Sequence, residues 1–146
     1  MSAADLVIRS TRQLDAPPDR VHRAWSDPEE LSAWYCRDVH GSLLAGVAST
    51  LIWSEREEEI TVLESDPPGR FRFRRVAAPG IAPTVVTVTI DRVGYGSRVR
   101  LEEGPFDASH AGVAEAVAAA AEAWGAALAN LRARVDFGVD LRRPVR

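Results

Sequence analysis

Three histidines, one cysteine and no lysine set the limits of the chemistry open to this 146-residue chain. His40, on or beside an early strand, is a candidate acid–base group or holder of a polar ligand atom, and Asp38 is a candidate pocket carboxylate. The same histidine also suits an ordinary place near a sheet edge. Glu64 offers a second carboxylate. Cys36 has no evident base or metal partner in the sequence, which makes it an inert thiol. Every one of the 18 basic residues is arginine. Schiff-base catalysis, pyridoxal-phosphate attachment and a P-loop lysine are therefore excluded, since arginine stays protonated and is no amine nucleophile. A single cysteine allows neither an internal disulfide nor a cysteine-rich zinc site. His22, His40 and His110 lack the close pairings of metal motifs, and the chain has no glycine-rich phosphate loop and no Gly-x-Ser-x-Gly elbow. No metal and no cofactor are expected.

Composition narrows the partners. The net charge of -3 and a pI near 5.6 argue against nucleic acid or an anionic membrane surface. The start, MSAADLVIRS, lacks a basic segment followed by an apolar run, so no signal peptide is expected. The most apolar later stretch is largely alanine and is interrupted by Glu115 and Glu122, a poor membrane span. These features point to a cytoplasmic protein. An apolar fraction of 46% with four tryptophans fills one core, so the expectation is one domain over residues 1–146 with a loosely ordered tail after about 136.

The elements that must position these groups are legible in pattern. Leu6 to Leu14 reads as a strand, stopped by DAPP, because proline cannot donate to a ladder. A short helix from about Pro18 to Trp25 follows. SDPEEL then restarts the chain, with Ser26 or Asp27 as cap and Pro28 at the first helical position of a second helix carrying Leu31, Trp34 and Tyr35. From Arg37 to Glu103 the period is two. VASTLIW and EITVLES are strands joined across the charged SEREEE, and DPPG is a turn. RFRFRRV sets Phe71 and Phe73 against Arg72 and Arg74. TVVTVTI sets Val86, Val88 and Ile90 against Thr87 and Thr89, and RVRLEE sets Val99 and Leu101 against Arg98, Arg100 and Glu102. Such alternation belongs to an antiparallel sheet with one face packed and one wet. The arginine face (Arg72, Arg74, Arg98, Arg100) reads as solvated and paired in part with Glu102 and Glu103. A long helix from roughly His110 to Val135, capped by Ser109 or Asp107, carries an apolar stripe of Val113, Val117, Trp124, Leu128, Leu131 and Val135.

Strand, two short helices, a run of antiparallel strands and one long helix is the order of the helix-grip fold, an α+β architecture in which a curved sheet wraps a C-terminal helix. The sequence itself also resembles a family. LDAPPDRVHRAWSDPEELSAWY is similar to the opening motif of START-like (SRPBCC) proteins of the heat-shock-protein ATPase activator homologue branch. VLESDPPGRFRF looks like that branch's Glu-x-Asp-Pro-Pro-x-Arg-aromatic segment, TVTVTIDRVGYGSRVRLEEGPF its last hairpin, and WGAALANLRA its closing helix. His22 stands where the family usually has a second aromatic, and residues from His40 to Glu59 fit the pattern poorly.

The resemblance implies a cavity between sheet and long helix that takes a small apolar or lipid-like molecule. Trp34, Tyr35, His40, Trp53, Phe71, Phe73, Val117 and Trp124 are the candidate ligand-binding residues, with core filling the alternative reading for each aromatic. His110 is placed either to close the pocket mouth or to begin a surface helix. His22 reads as a half-buried stand-in for a packed aromatic, and Glu64 as a structural residue beside the Pro-Pro turn. The first functional expectation is a small-molecule binding protein. The alternatives are a polyketide cyclase/dehydratase-like enzyme using His40 or a nearby carboxylate such as Asp38, and a chaperone-interacting module. A homodimer is left open by all three.

Overall fold

Alternation along the strands and two proline breaks decide the order of elements in the computed structural model, which describes residues 5–142. That order is β1 (Leu6–Leu14), α1 (Pro18–Ser26), α2 (Pro28–Ser32), β2 (Asp38–His40), β3 (Ala48–Ile52), β4 (Glu57–Asp66), β5 (Arg70–Arg75), β6 (Thr84–Val93), β7 (Gly96–Phe106) and α3 (Val113–Phe137). The strands form one antiparallel sheet in the order β1-β7-β6-β5-β4-β3-β2, so the short helices carry the chain from one edge to the other. The curved sheet closes on α3. This is the helix-grip fold that the residue pattern implies.

The two proline stretches act as expected of stops and starts. Pro18 opens α1, whose missing N–H costs nothing there. Asp27 caps α2 by accepting from the backbone of Glu29 (2.9 Å) and Glu30 (3.3 Å). The turn after β1 is tied to the far end of α3: Asp136 accepts from the backbone N–H of Asp15 (3.0 Å) and of Ala16 (2.9 Å). Ser97 donates to the Ala16 carbonyl (2.7 Å). Here β7 must pass close to β1, and Gly96 permits it: a Cβ at that position would run into the Leu14 carbonyl oxygen.

Several boundaries differ from the sequence expectation. The second helix ends at Ser32, so Trp34 and Tyr35 lie in the turn that follows it. Strand β4 begins at Glu57, which takes half of the charged SEREEE link into the sheet. Helix α3 starts at Val113 rather than His110 because Gly112, at φ 83°, breaks the backbone before it. Asp107 instead accepts from the Ser109 N–H and hydroxyl in a local turn. Beyond α3, which Gly138 terminates at φ 65°, Arg142 donates to the carbonyls of Cys36 (2.6 Å) and Ser32 (3.0 Å). Residues 143–146 of the tail lie outside the described residues. No helix among the described residues is long and apolar enough to cross a membrane.

His22 shows how the first helix grips the sheet. It is buried beside Phe71, with ring centroids 6.2 Å apart and edge to face. Its Nε2 lies 3.0 Å from the Arg70 carbonyl, which can only accept, so Nε2 carries the proton and Nδ1 accepts from the Ser26 hydroxyl at 3.2 Å. Burial lowers its pKa below 6.5, against smaller opposing effects of the Arg70 carbonyl and Asp66. The folded chain therefore binds fewer protons at this site than the unfolded chain. The stability this contributes is complete above about pH 6.5 and is lost as pH falls through the folded value. Melting temperature is expected to drop between pH 7.5 and 5.5, and to drop less in His22→Phe. An equal drop in that variant would assign the loss to other groups.

Candidate functional site

The side chains with chemistry converge where the inward faces of four neighbouring strands meet α3. On β5, Phe71 and Phe73 point inward, and Arg75 follows them in the same phase. On β7 the inward set is Val99, Leu101 and Glu103; on β6 it ends at Thr84. On β4, Ile60 and Val62 are buried and Glu58 extends their face, its side chain 9% exposed. Each strand thus places a polar residue in a row across the sheet, near the end of a mostly apolar face.

Glu103 is the centre of the row. Its side chain is 0% exposed and takes two short bonds from Arg75, Nε to Oε2 and Nη2 to Oε1, both 2.7 Å. Thr84 donates at 2.6 Å and the Trp124 indole at 2.8 Å. Burial alone would raise the carboxyl's pKa. The hydrogen bonds and charge of Arg75, helped by Thr84 and Trp124, outweigh it and hold the group below the usual carboxylate range. Burial likewise works against the Arg75 charge, and Glu103 more than reverses that. The pair is ionised and fully bonded, the condition under which a buried ion pair is tolerated. Reading Glu103 as part of a solvated arginine face was wrong: the exposed Glu102 pairs outward with Arg9 at 3.0 Å, whereas Glu103 turns in.

Above this row stands an aromatic group. Tyr35 and Trp124 are stacked, with centroids 5.5 Å apart and planes 3° from parallel. Trp53 meets Tyr35 edge-on at 5.3 Å, donates its N–H to the Tyr35 carbonyl (3.0 Å), and carries the Arg56 guanidinium 3.9 Å above its ring. Tyr35, Trp53, Arg56, Arg75, Trp124 and Asn130, with alanines of α3, line a hollow of about 250 Å³ between sheet and helix. The alanine-rich composition of α3 keeps this space open, because small side chains fill little of it. Burial pushes the Tyr35 phenol's pKa above its normal value, so the hydroxyl is neutral at physiological pH.

Of the eight candidate residues, Tyr35, Trp53 and Trp124 come together at the hollow. Trp34 is buried behind them against Trp25, at 4.8 Å, and donates to the Ala24 carbonyl. Phe71 and Phe73 belong to the buried sheet face, Phe73 with its ring 6.5 Å from Trp124. Val117 is half-buried against the core and is not among the residues lining the hollow. His40 lies apart from it, on the short edge strand β2, where its side chain is 67% exposed and pairs with Asp38 at 3.3 Å. An enzyme relying on those two groups loses them, since neither reaches the hollow. Glu64 pairs across strands with Arg70 (2.9 Å), and His110 is exposed before α3. Cys36 is buried, and burial pushes its thiol up to about 11, well into the unreactive range. Among the described residues, no group of three or more His, Cys, Asp or Glu side chains is arranged to hold a metal ion.

The site residues missed by sequence reasoning are Arg75, Glu103, Glu58 and Thr84, along with Arg56 and Asn130 of the hollow's lining. The signal for the first three was strand phase: one further step of two from Phe73, from Leu101, and back from Ile60 puts them on the inward face.

Comparisons with known proteins bear on the whole of this architecture. The family model described as "Activator of Hsp90 ATPase homolog 1-like protein" matches residues 15–136. Among curated proteins, none matches. Several solved structures are similar. Protein MLL2253 from Mesorhizobium loti is 20% identical with a TM-score of 0.76, over 87% of this chain and 94% of its own. The Aha1 dimer from Colwellia psychrerythraea is 15% identical with a TM-score of 0.77, over 91% and 98%. DynU16, a protein of the dynemicin biosynthetic locus, is 18% identical with a TM-score of 0.80, over 92% of this chain and 49% of its own. At these identities the structures share the fold.

Proposed function

The chain belongs to the Activator of Hsp90 ATPase homolog 1-like family, and on that footing we propose that it is a small-molecule binding protein whose ligand sits between the sheet and α3. The observation that carries this reading is the hollow of about 250 Å³ walled by the parallel Tyr35 and Trp124 rings and by Trp53. Ligand sites are concave and combine aromatic walls with placed polar groups, and this one joins three aromatic rings to Arg56, Arg75 and Asn130. Its volume lies just below the usual range of roughly 300–1,000 Å³. A compact ring system suits it better than a long acyl chain, which narrows the lipid-like ligand of the sequence reading. DynU16, which shares the fold, belongs to a biosynthetic locus, in keeping with a small-molecule role.

Native mass spectrometry of freshly purified protein, followed by a thermal-shift screen of compact aromatic compounds, tests the reading. At a hundredfold excess over Kd a ligand adds about 2.7 kcal/mol, which for a chain of this size raises Tm by about 5–10 °C. A protein that carries no extra mass and whose Tm no compound moves is not a small-molecule binder. The same spectra give the subunit number.

A further inference from the structure

The polar side chains around the hollow differ in what they have left to offer. Among the described residues no carboxylate lines it, and its charged members are Arg56 and Arg75. Arg75 commits the fork of its Nε and Nη2 to Glu103, and its Nη1 faces the buried Glu58 Oε1 at 3.5 Å. The indole N–H groups of Trp53 and Trp124 are likewise engaged, with the Tyr35 carbonyl and with Glu103. Arg56 is the exception. Only its Nη1 is bonded, to Glu58 Oε2 at 3.0 Å, and its Nε and Nη2 make no hydrogen bond among the described residues. The guanidinium lies 3.9 Å above the Trp53 ring, and the side chain is 57% exposed, so it stands where the hollow meets solvent.

A free Nε–Nη2 fork is shaped for two acceptor oxygens in one plane. A carboxylate supplies both through charge-assisted bonds, whereas a ketone or amide supplies one neutral oxygen. Charge does not forbid this. The guanidiniums of Arg56 and Arg75 balance the carboxylates of Glu58 and Glu103, neither of which lines the hollow. Glu55 and Glu57, beside Arg56 in the chain, are exposed and absent from the lining, so water and salt screen them. An exposed ion pair is ordinarily weak because two long side chains must be ordered to make it. Here Trp53 and Glu58 already hold the guanidinium in place, and a ligand ring among the aromatic walls would hold the carboxylate.

We propose that the hollow takes a planar aromatic acid, its ring among the aromatic walls and its carboxylate on the Nε–Nη2 fork of Arg56, which is the specificity-determining residue. This rests on the small-molecule reading above. Three probes sharing one ring system test it at neutral pH by equilibrium dialysis: 2-naphthoate, 2-naphthamide and 2-methylnaphthalene. Naphthoate should bind about tenfold more tightly than either of the others, the size of one charge-assisted hydrogen bond. In Arg56→Met that preference should disappear while 2-methylnaphthalene binds as before, which checks that the hollow is intact. Arg56→Lys keeps the charge and loses the fork, so it should retain a preference of about threefold or less. Salt gives a reading without mutation: raising it from about 0.01 M to about 1 M should lower the naphthoate-to-naphthamide ratio. Naphthamide binding as tightly as naphthoate overturns the proposal, as does a preference that survives in Arg56→Met, stays whole in Arg56→Lys or is untouched by salt. Each of these results leaves the small-molecule reading standing, whereas failure of all three probes to bind removes both.

Discussion

Replacing Glu103 with alanine is expected to destabilise the fold by about 3–5 kcal/mol, the cost of breaking a buried ion pair from one side. Four donors lose their acceptor at once: two on Arg75, one on Thr84 and the indole of Trp124. The Arg75 charge is then left buried with only Glu58, 3.5 Å away, to offset it. Total stabilities of 5–15 kcal/mol make this a large fraction. Urea titration should show a lower midpoint at an unchanged slope. The double variant Arg75→Met with Glu103→Leu separates the pair's worth from the penalty of orphaning one member. Both side chains then suit the surrounding apolar face, and stability should return to within about 1 kcal/mol of the wild type. A loss below about 1 kcal/mol in the single variant would mean that Arg75 swings out to water. The pH profile offers an independent check. Because the folded carboxyl is held below its ordinary 4.5, its contribution is complete above that value and disappears as pH falls through the folded one. The double variant should lack this acid loss.

That buried row marks the limit of what the amino-acid order disclosed. The helix-grip order was legible because its signals run over whole segments: period two in RFRFRRV and TVVTVTI, prolines at 17, 18 and 28, and one long alanine-rich helix. The family motif and the aromatic set were legible for the same reason. Arg75 and Glu103 were obscured by a conflict between two rules. Phase puts them inside, while the desolvation cost of a charge puts them outside. What resolves the conflict is their partner, and the partner lies two strands away: β6 intervenes between β5 and β7. Only the register, which sets Arg75 opposite Thr84 and Val86 opposite Glu103, brings them together. His40 is the converse case. Its type drew attention, yet β2 is a three-residue edge strand whose ends face water.

Trp124→Ala is expected to cost about 3–5 kcal/mol and, unlike most core truncations, to change ligand affinity as well. The side chain is 1% exposed and ringed by Tyr35, Trp25 and Phe73, at 5.5, 6.2 and 6.5 Å. Its removal leaves a void continuous with the existing hollow, so the surrounding rings lose contacts that no neighbour on α3, mostly alanine, can replace. A compact planar ligand then loses an aromatic wall of the hollow, and its affinity should fall by about tenfold or more. Two controls isolate the cause. Trp124→Phe keeps a ring beside Tyr35 but not the N–H to Glu103; it should lose about 1–3 kcal/mol of stability with little change in affinity. Leu128→Ala lies one helical turn further on, fully buried and not part of the hollow's lining. It should cost about 2–5 kcal/mol and leave affinity untouched. Urea midpoints and equilibrium dialysis on the same three variants give both numbers. If all three lose affinity in proportion to stability, binding tracks the fold as a whole and Trp124 has no wall of its own to offer.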